Sequence, residues 1–318
     1  MSKVVVTDFT FPDVSRERMA ALAAGAEFSA HQCRTSAEVA AAVAEADIAL
    51  VQFAPFGQDA AAAMKRGGTV IRYGVGYDNI DLAGCTDNGL QVGYVPDYCA
   101  DEVADHTVAA ALAMLRKLPG LDASVRRGDW AAVPVAKPMK AFNQTVFGFF
   151  GLGQIGRAVV RRLKGFEFDI IAADPGLSQA DAAGLGVTLV DTDILLARAD
   201  ILSLHAPSTP VTAGYFDARR LRSMQAHAII VNSARGQLIV EADLADALHK
   251  GVIAGAALDV FQAEPLPLDS PLRGAPNLLL TPHAAWYSDG AIDRLQQLVA
   301  EDVARALRGE GPRMPVRG

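Results

Sequence analysis

Cysteine, tryptophan and positive charge are all scarce in this 318-residue sequence, and each shortage removes a class of function. The three cysteines, Cys33, Cys85 and Cys99, share no C-x-x-C spacing. That argues against a disulfide framework or a zinc site and for free thiols in a reducing cytosol. Lys and Arg number 29 against 36 Asp and Glu, a net charge of −7. A groove that neutralises many phosphates is therefore not expected, so no nucleic-acid partner is either. The basic pairs Arg126–Arg127, Arg161–Arg162 and Arg219–Arg220 are scattered and fit solvated helix faces. No apolar run approaches the roughly 18 residues a spanning helix needs, which excludes a membrane helix. Asp8 interrupts the N-terminal apolar stretch too early for a secretory signal, so a cytoplasmic location is expected. There is no G-x-x-x-x-G-K-[ST] phosphate loop, no H-E-x-x-H and no clustered His/Cys set, hence no P-loop phosphoryl transfer and no metal.

What is present is a chain that is 51% hydrophobic and 20% charged, the balance of a globular protein with a substantial core. The length allows one large or two ordinary domains, at roughly 100–200 residues each. Short β-branched runs alternate with Ala-rich helical stretches throughout. Strands are expected at Val4–Val6, Ile48–Phe53, Thr69–Tyr73, Val146–Phe150, Phe168–Ala172, Ile201–Leu204, Ala228–Val231, Ala254–Leu258 and Leu278–Thr281. Most are continuously apolar, as in a parallel sheet covered on both faces. The fold class is α/β, doubly wound. A long helix is expected over Cys99–Leu118, where Ala104, Val108, Ala111, Leu115 and Leu118 hold a helical spacing. The stretch Gly120–Gln144, rich in Pro and Gly, reads as loop. A first α/β unit thus ends near Tyr98, and a second begins with the long helix. The terminal helix, Asp289–Leu307, carries Ile292, Leu295, Leu298, Val299 and Val303 on one stripe.

The strongest local signal follows the strand at Val146–Phe150. Gly151-Leu152-Gly153-Gln154-Ile155-Gly156 opens a helix, and Asp174 ends the next strand 18 residues past Gly156. This is G-x-G-x-x-G in the setting that gives it meaning. Gly151 permits the tight turn, Gly153 lets backbone approach a pyrophosphate, and Gly156 lets the helix pack on the strand. The helix N-terminus offers unpaired N–H groups to the phosphates. Asp174 can accept hydrogen bonds from ribose hydroxyls and repels a 2′-phosphate, which favours NAD (NADH) over NADP. A glycine-rich turn with no ligand is the alternative that this setting argues against.

Hydride transfer to a carbonyl needs a proton donor, and six histidines are candidates. His31, His227 and His249 lie in surface or helical segments, and His106, beside Asp105 on the long helix, reads as structural. His205 and His283 both lie just beyond strand ends, where open α/β sheets bind ligands. His283 has the better claim, because Glu264 in the stretch after another strand end could reach it.

Five segments resemble the D-isomer-specific 2-hydroxyacid dehydrogenase family. They are Gly74-Val75-Gly76-Tyr77-Asp78-Asn79-Ile80-Asp81, the Gly151–Gly156 turn, Val231-Asn232-Ser233-Ala234-Arg235-Gly236, Ala256–Phe261 leading to Glu264-Pro265, and Thr281-Pro282-His283-Ala284-Ala285-Trp286-Tyr287-Ser288. The Trp after the His is similar to the C-terminal-binding-protein branch. The resemblance implies a triad. Arg235 would bind the carboxylate and 2-oxo oxygens of the substrate as a charged planar fork. His283 would be the general acid/base, and Glu264 would hold its imidazole and favour the protonated form. Backbone N–H groups of Val75 and Gly76 would hold the substrate carboxylate.

By the same resemblance, Asp259 would meet the nicotinamide carboxamide with Ser233, Ala234 and Ala285 nearby. Thr107 would face the cofactor, and the His205-Ala206-Pro207 loop and Thr212 would line its adenosine and phosphate side. Trp286 would wall the substrate side-chain pocket or pack a domain hinge. Two Rossmann- or flavodoxin-like domains are implied: a discontinuous substrate domain, 1–98 and 285–318, around an NAD-binding domain, 99–284. Closure over a cleft would exclude water. A homodimer through the long helix and the loop after it is implied too. The activity implied is NAD-dependent interconversion of a 2-oxo acid and a D-2-hydroxy acid. A phosphorylated substrate is not expected, since no extra basic cluster adjoins the site and no regulatory domain follows Gly318. The alternative is an NAD(H)-sensing scaffold without catalysis, on the same fold.

Overall fold

A computed structural model describes residues 1–316. The chain divides into two compact units: Met1–Cys99 with Tyr287–Gly318, and Ala100–Trp286. Ala285 and Trp286 therefore belong to the second unit.

The first unit alternates β1 (Lys3–Val6), α1 (Ser15–Ala23), β2 (Glu27–Ala30), α2 (Ser36–Ala42), β3 (Ile48–Val51), α3 (Gln58–Ala63), β4 (Thr69–Arg72), α4 (Leu82–Asp87) and β5 (Gln91–Tyr94). All strands pair in parallel, in the order β2-β1-β3-β4-β5. This is the flavodoxin-like order, with its switch point between β1 and β3. Val4–Val6 and Ile48–Val51 are wholly buried, because helices cover both faces of the sheet. Local chemistry starts the helices: Thr35 and Glu38 form a reciprocal capping box on α2, and Asp81 caps α4 through the Gly84 N–H.

The second unit begins with α5 (Ala100–Leu115), α6 (Leu118–Arg126) and α7 (Ala132–Ala136). The expected continuous helix to Leu118 therefore ends at Leu115, and the expected loop at Gly120–Gln144 holds most of two helices. The physical reasons are local. Lys117 takes a left-handed φ of 56°, which ends α5, while Pro119 and Pro134 fall in the first turns of the helices that follow. Proline is tolerated there because its missing N–H would be unpaired anyway.

Then come β6 (Val146–Phe150), α8 (Gln154–Leu163), β7 (Asp169–Ala173), α9 (Gln179–Leu185), β8 (Thr188–Leu189), α10 (Thr192–Arg198), β9 (Ile201–Leu204), α11 (Ala218–Leu221), β10 (Ile229–Asn232), α12 (Glu241–His249), β11 (Gly255–Leu258) and β12 (Leu278–Leu280). The parallel order is β12-β11-β10-β9-β6-β7-β8. Reading outward from β6, this is the doubly wound dinucleotide-binding arrangement, with its switch point between β6 and β9. Alternate side chains serve opposite faces. Phe147, Phe149 and Ile201 pack with α5 and α8, whereas Phe150, Leu202 and Leu204 pack with α10 and α12. The chain returns to the first unit as α13 (Asp289–Leu307), capped by Ser288. Leu295, Val299 and Val303 are buried against that unit, and α13 packs on α1.

Three strands were not anticipated from the sequence. β2 is half-exposed at one edge, β8 is two residues long, and β5 contains Gly93. None carries the continuous apolar run that marks a central strand.

Candidate active site

The site of the second unit is built on the carboxyl ends of its strands. At the end of β6, Gly151 has φ 85°, and a Cβ there would lie 2.9 Å from the Ala206 backbone nitrogen. Only glycine fits a left-handed residue pressed against another backbone. At Gly153 a Cβ would meet nothing within 4 Å. The backbone is therefore open on that side. Gly153 is also the N-cap of α8 and supplies no side-chain cap. The first N–H groups of α8 are thus left to a ligand, as phosphate sites require. Gln154 and Ile155 begin the helix, and Gly156 packs beneath it against Leu152 and the ring of His205.

Asp174 follows β7 directly. One carboxylate oxygen accepts the Leu152 N–H at 2.6 Å and the other the Gly176 N–H at 2.8 Å. The side chain remains half-buried. Asp174 therefore fastens the glycine turn and stands at the β7 tip.

His205 ends β9, and its N–H donates to the Phe150 carbonyl at 2.8 Å. Its ring stacks on Phe149 with centroids 5.6 Å apart, and Nε2 lies 2.8 Å from Ser203 Oγ. Burial pushes its pKa down to about 4, because desolvation disfavours the imidazolium. A ring held neutral at ordinary pH is a poor acid. Ala206 and Pro207 continue the loop, and Thr212 closes it by donating its hydroxyl to the Pro207 carbonyl at 2.7 Å.

Arg235 stands beyond β10 in a turn clamped by Asn232. The Asn232 amide donates to the Arg235 carbonyl (2.8 Å) and accepts the Ala234 N–H (3.0 Å). The guanidinium donates to the Ala234 carbonyl at 2.6 Å. A Cβ at Gly236 would fall 1.9 Å from the Phe261 carbonyl carbon, so this turn is pressed against the loop after β11. Thr107 of α5 is wholly buried. Its hydroxyl donates to the Val103 carbonyl at 2.7 Å and lies 2.6 Å from Ser233 Oγ.

The Glu264 carboxylate reaches two groups. Oε1 accepts the Phe261 N–H at 2.9 Å, and Oε2 lies 2.7 Å from His283 Nδ1. Burial works to raise the Glu264 pKa. The hydrogen bond and charge of His283, the Phe261 N–H and the Arg235 charge outweigh it and hold the carboxyl below its ordinary value. Because a carboxylate only accepts, the proton between them sits on Nδ1. His283 itself occupies a left-handed backbone, φ 51°. Such a conformation in a non-glycine residue persists only where its surroundings over-determine it. Arg235, Glu264 and His283 are thus brought together in one electrostatic group.

The family model described as D-isomer specific 2-hydroxyacid dehydrogenase, NAD binding domain, matches residues 108–285. A glyoxylate reductase of Korarchaeum cryptofilum is 38% identical over 76% of this chain and 74% of its own length. The chain belongs to the D-isomer specific 2-hydroxyacid dehydrogenase family. A D-3-phosphoglycerate dehydrogenase of Mycobacterium tuberculosis is 42% identical over 85% of this chain and 51% of its own length. The chain spans about half the length of that curated relative. A crystal structure of a protein from Thermus thermophilus superposes with a TM-score of 0.86 at 30% identity, over 99% of this chain and 100% of that one.

In this family member the NAD fit rests on three features: an uncapped helix N-terminus, a glycine cradle whose Gly151 admits no Cβ, and an aspartate at the next strand tip. Val75 and Gly76 lie in the first unit, in the turn after β4, and Asn79 secures that segment by donating to the Ala54 carbonyl at 2.9 Å. Trp286 is half-buried at the end of the second unit. Asp259 directly follows β11. Its two oxygens accept from Thr281 Oγ1 (2.6 Å), the Ala284 N–H (2.8 Å) and the Ala285 N–H (2.9 Å). It is buried and turned onto the loop of His283. Asn232 and Thr281 are polar groups of this region to which the sequence reading assigns no role, and His106, which reads as structural there, stands beside Thr281. Each is an ordinary polar residue until the tertiary fold sets it beside the site. Among the described residues no His, Cys, Asp and Glu group could hold a metal, and no helix is long and apolar enough to cross a membrane. The three cysteines are free.

Proposed function

We propose that this chain is an NAD-dependent oxidoreductase that interconverts a 2-oxo acid and its D-2-hydroxy acid. The observation that carries the reading is the 2.7 Å contact of Glu264 with His283 Nδ1, beside the Arg235 guanidinium. When bound, the reduced nicotinamide supplies the hydride. The chain's own groups supply the rest. Glu264 holds Nδ1–H and so directs Nε2 to the substrate. His283 gives a proton from Nε2 to the carbonyl oxygen as the hydride arrives, and takes it back in the reverse direction. Arg235 binds the carboxylate and polarises the ketone, as a planar permanent cation can.

Asp174, with its charge at the β7 tip, supports NADH over NADPH. Trp286 would bound the side-chain pocket and favour a substituted, apolar 2-oxo acid. The catalytic reading is supported over a non-catalytic NAD(H)-sensing scaffold by the complete Arg235, Glu264 and His283 set.

A homodimer is supported by Leu118, Val125, Trp130 and Val133, large apolar residues left exposed along α6, α7 and the turn between them. A cytoplasmic location is supported by free thiols. The test is oxidation of NADH with a panel of 2-oxo acids: glyoxylate, pyruvate, longer aliphatic and aromatic members, and a phosphorylated one. Turnover of at least one member is expected. Tight NADH binding with no turnover across the panel would return the scaffold reading. Sedimentation of the same sample would report the dimer.

A further inference from the structure

The loop that presents His283 is gripped from behind by side chains that take no part in the proton transfer. His283 donates its N–H to the Asp259 carbonyl at 2.7 Å, and the next two N–H groups, of Ala284 and Ala285, go to the Asp259 carboxylate. One buried aspartate therefore holds three consecutive amides and keeps His283 in its left-handed backbone. Thr281 adds a fourth tie, with Oγ1 at 2.6 Å from Asp259 Oδ1.

A threonine hydroxyl has one hydrogen, and a carboxylate can only accept it. That hydrogen is committed to Asp259. The second contact of Thr281 Oγ1, with His106 Nε2 at 3.2 Å, must then run the other way, with Nε2–H donating. The same imidazole stands 3.8 Å from Asp259 Oδ1. His106 comes from the middle of α5, and its neighbour Thr107 has the equivalent relation to the other strand-tip loop. The Thr107 hydroxyl hydrogen goes to Val103, so Ser233 donates to Thr107. Two successive residues of one helix thus pin the loop of His283 and the loop of Arg235.

We propose that His106 is a positioning residue: its Nε2–H orients the Thr281 hydroxyl onto Asp259, and through Asp259 it holds the proton donor His283 in register with Arg235. The proposal rests on the reading of His283 as acid–base group, and its test separates the two. His106→Leu removes the donor and keeps bulk, while His106→Gln keeps an N–H near the position of Nε2. The Leu variant should lose at least about tenfold in kcat, the scale set by small misplacements of a catalytic group, with NADH affinity unchanged. The Gln variant should recover most of the loss. Amide hydrogen exchange at residues 283–285, read without substrate, should quicken in His106→Leu and in Thr281→Val.

Equal kcat in the Leu variant and the parent would overturn the proposal, as would exchange at 283–285 that neither substitution moves. A lower melting temperature with kcat intact would make His106 a packing residue only. Should the parent turn over no 2-oxo acid, the exchange measurement still decides the strap. Failure of the catalytic reading is then seen separately.

Discussion

Both sheets carry an aspartate just past the carboxyl end of a strand, and the two units use it differently. In the first unit Asp8 follows β1, is buried, and accepts the N–H groups of Gln52 (3.0 Å), Phe53 (2.5 Å) and Ala54 (3.0 Å). The Thr7 hydroxyl adds a further bond at 2.8 Å. In the second unit Asp174 accepts two N–H groups and stays half-buried, while the α8 N-terminus has no side-chain cap. A flavodoxin-like sheet and a dinucleotide-binding sheet offer the same kind of crevice at their switch points. The first satisfies strand-end amides there with its own carboxylate. The second leaves its amides for an anion from outside. The comparison teaches that ligand capacity lies in what a switch point leaves unsatisfied, not in the topology.

The largest effect that tests this division lies in the second unit. Replacing His283 by Gln should lower turnover about 10²–10⁴-fold, the usual worth of a positioned general acid, with NADH affinity held. Fluorescence titration beside steady-state kinetics reads both. An unchanged rate would move the proton donor elsewhere.

The next concerns only the first unit. Glu17 of α1 is fully buried, with the buried Tyr73 hydroxyl as its polar neighbour. Burial pushes its pKa from 4.5 up to about 7. A carboxyl raised in the folded state stabilises the fold fully below its unfolded pKa, and that contribution is lost as pH rises through the folded one. Unfolding free energy from urea titrations should therefore fall by up to about 3 kcal/mol between pH 4.5 and 8. Glu17→Gln should flatten the Glu17 part of that fall. Parallel curves for parent and variant would remove Glu17 as its source.

Removing Asp8 leaves three strand-end amides without their acceptor. Asp8→Ala should cost about 3 kcal/mol of stability, with no change in NADH affinity. A loss of NADH affinity at unchanged stability would erase the contrast between the two crevices. The smallest effect is at Asp174. Its replacement by Asn should narrow the preference for NADH over NADPH by about tenfold, the worth of one charge-assisted hydrogen bond. Competition binding with both cofactors reads it, and an unmoved ratio would mean that another group reads the ribose.

How much of this was legible before folding depends on the residue. Gly151–Gly156 and Asp174 could be read because their spacing is local: strand, turn, helix and next strand follow within one short stretch. The central strands were legible for the same reason, since a fully buried parallel strand must be apolar without interruption. The edges β2 and β8 were not, because neither carries a continuous apolar run, whereas the edge β12 does. The helices α6 and α7 were hidden by prolines that stop a helix in its interior yet suit its first turn. His283 and Glu264 could be nominated as a pair, but nothing in their separation along the chain requires a 2.7 Å contact.

The sequence by itself determined the doubly wound class, the glycine turn and its aspartate, and the set of charged residues from which a site could be made. Only the tertiary structure decided that Asp259 turns onto the His283 loop, that His106 stands behind Thr281, and that the half-buried His205 ring is desolvated enough to stay neutral. Chain-local features depend on backbone sterics and on periods of two and 3.6 residues, which neighbours in sequence supply. Hydrogen-bond partners and desolvation depend on groups far apart along the chain, which meet only when the sheet is assembled.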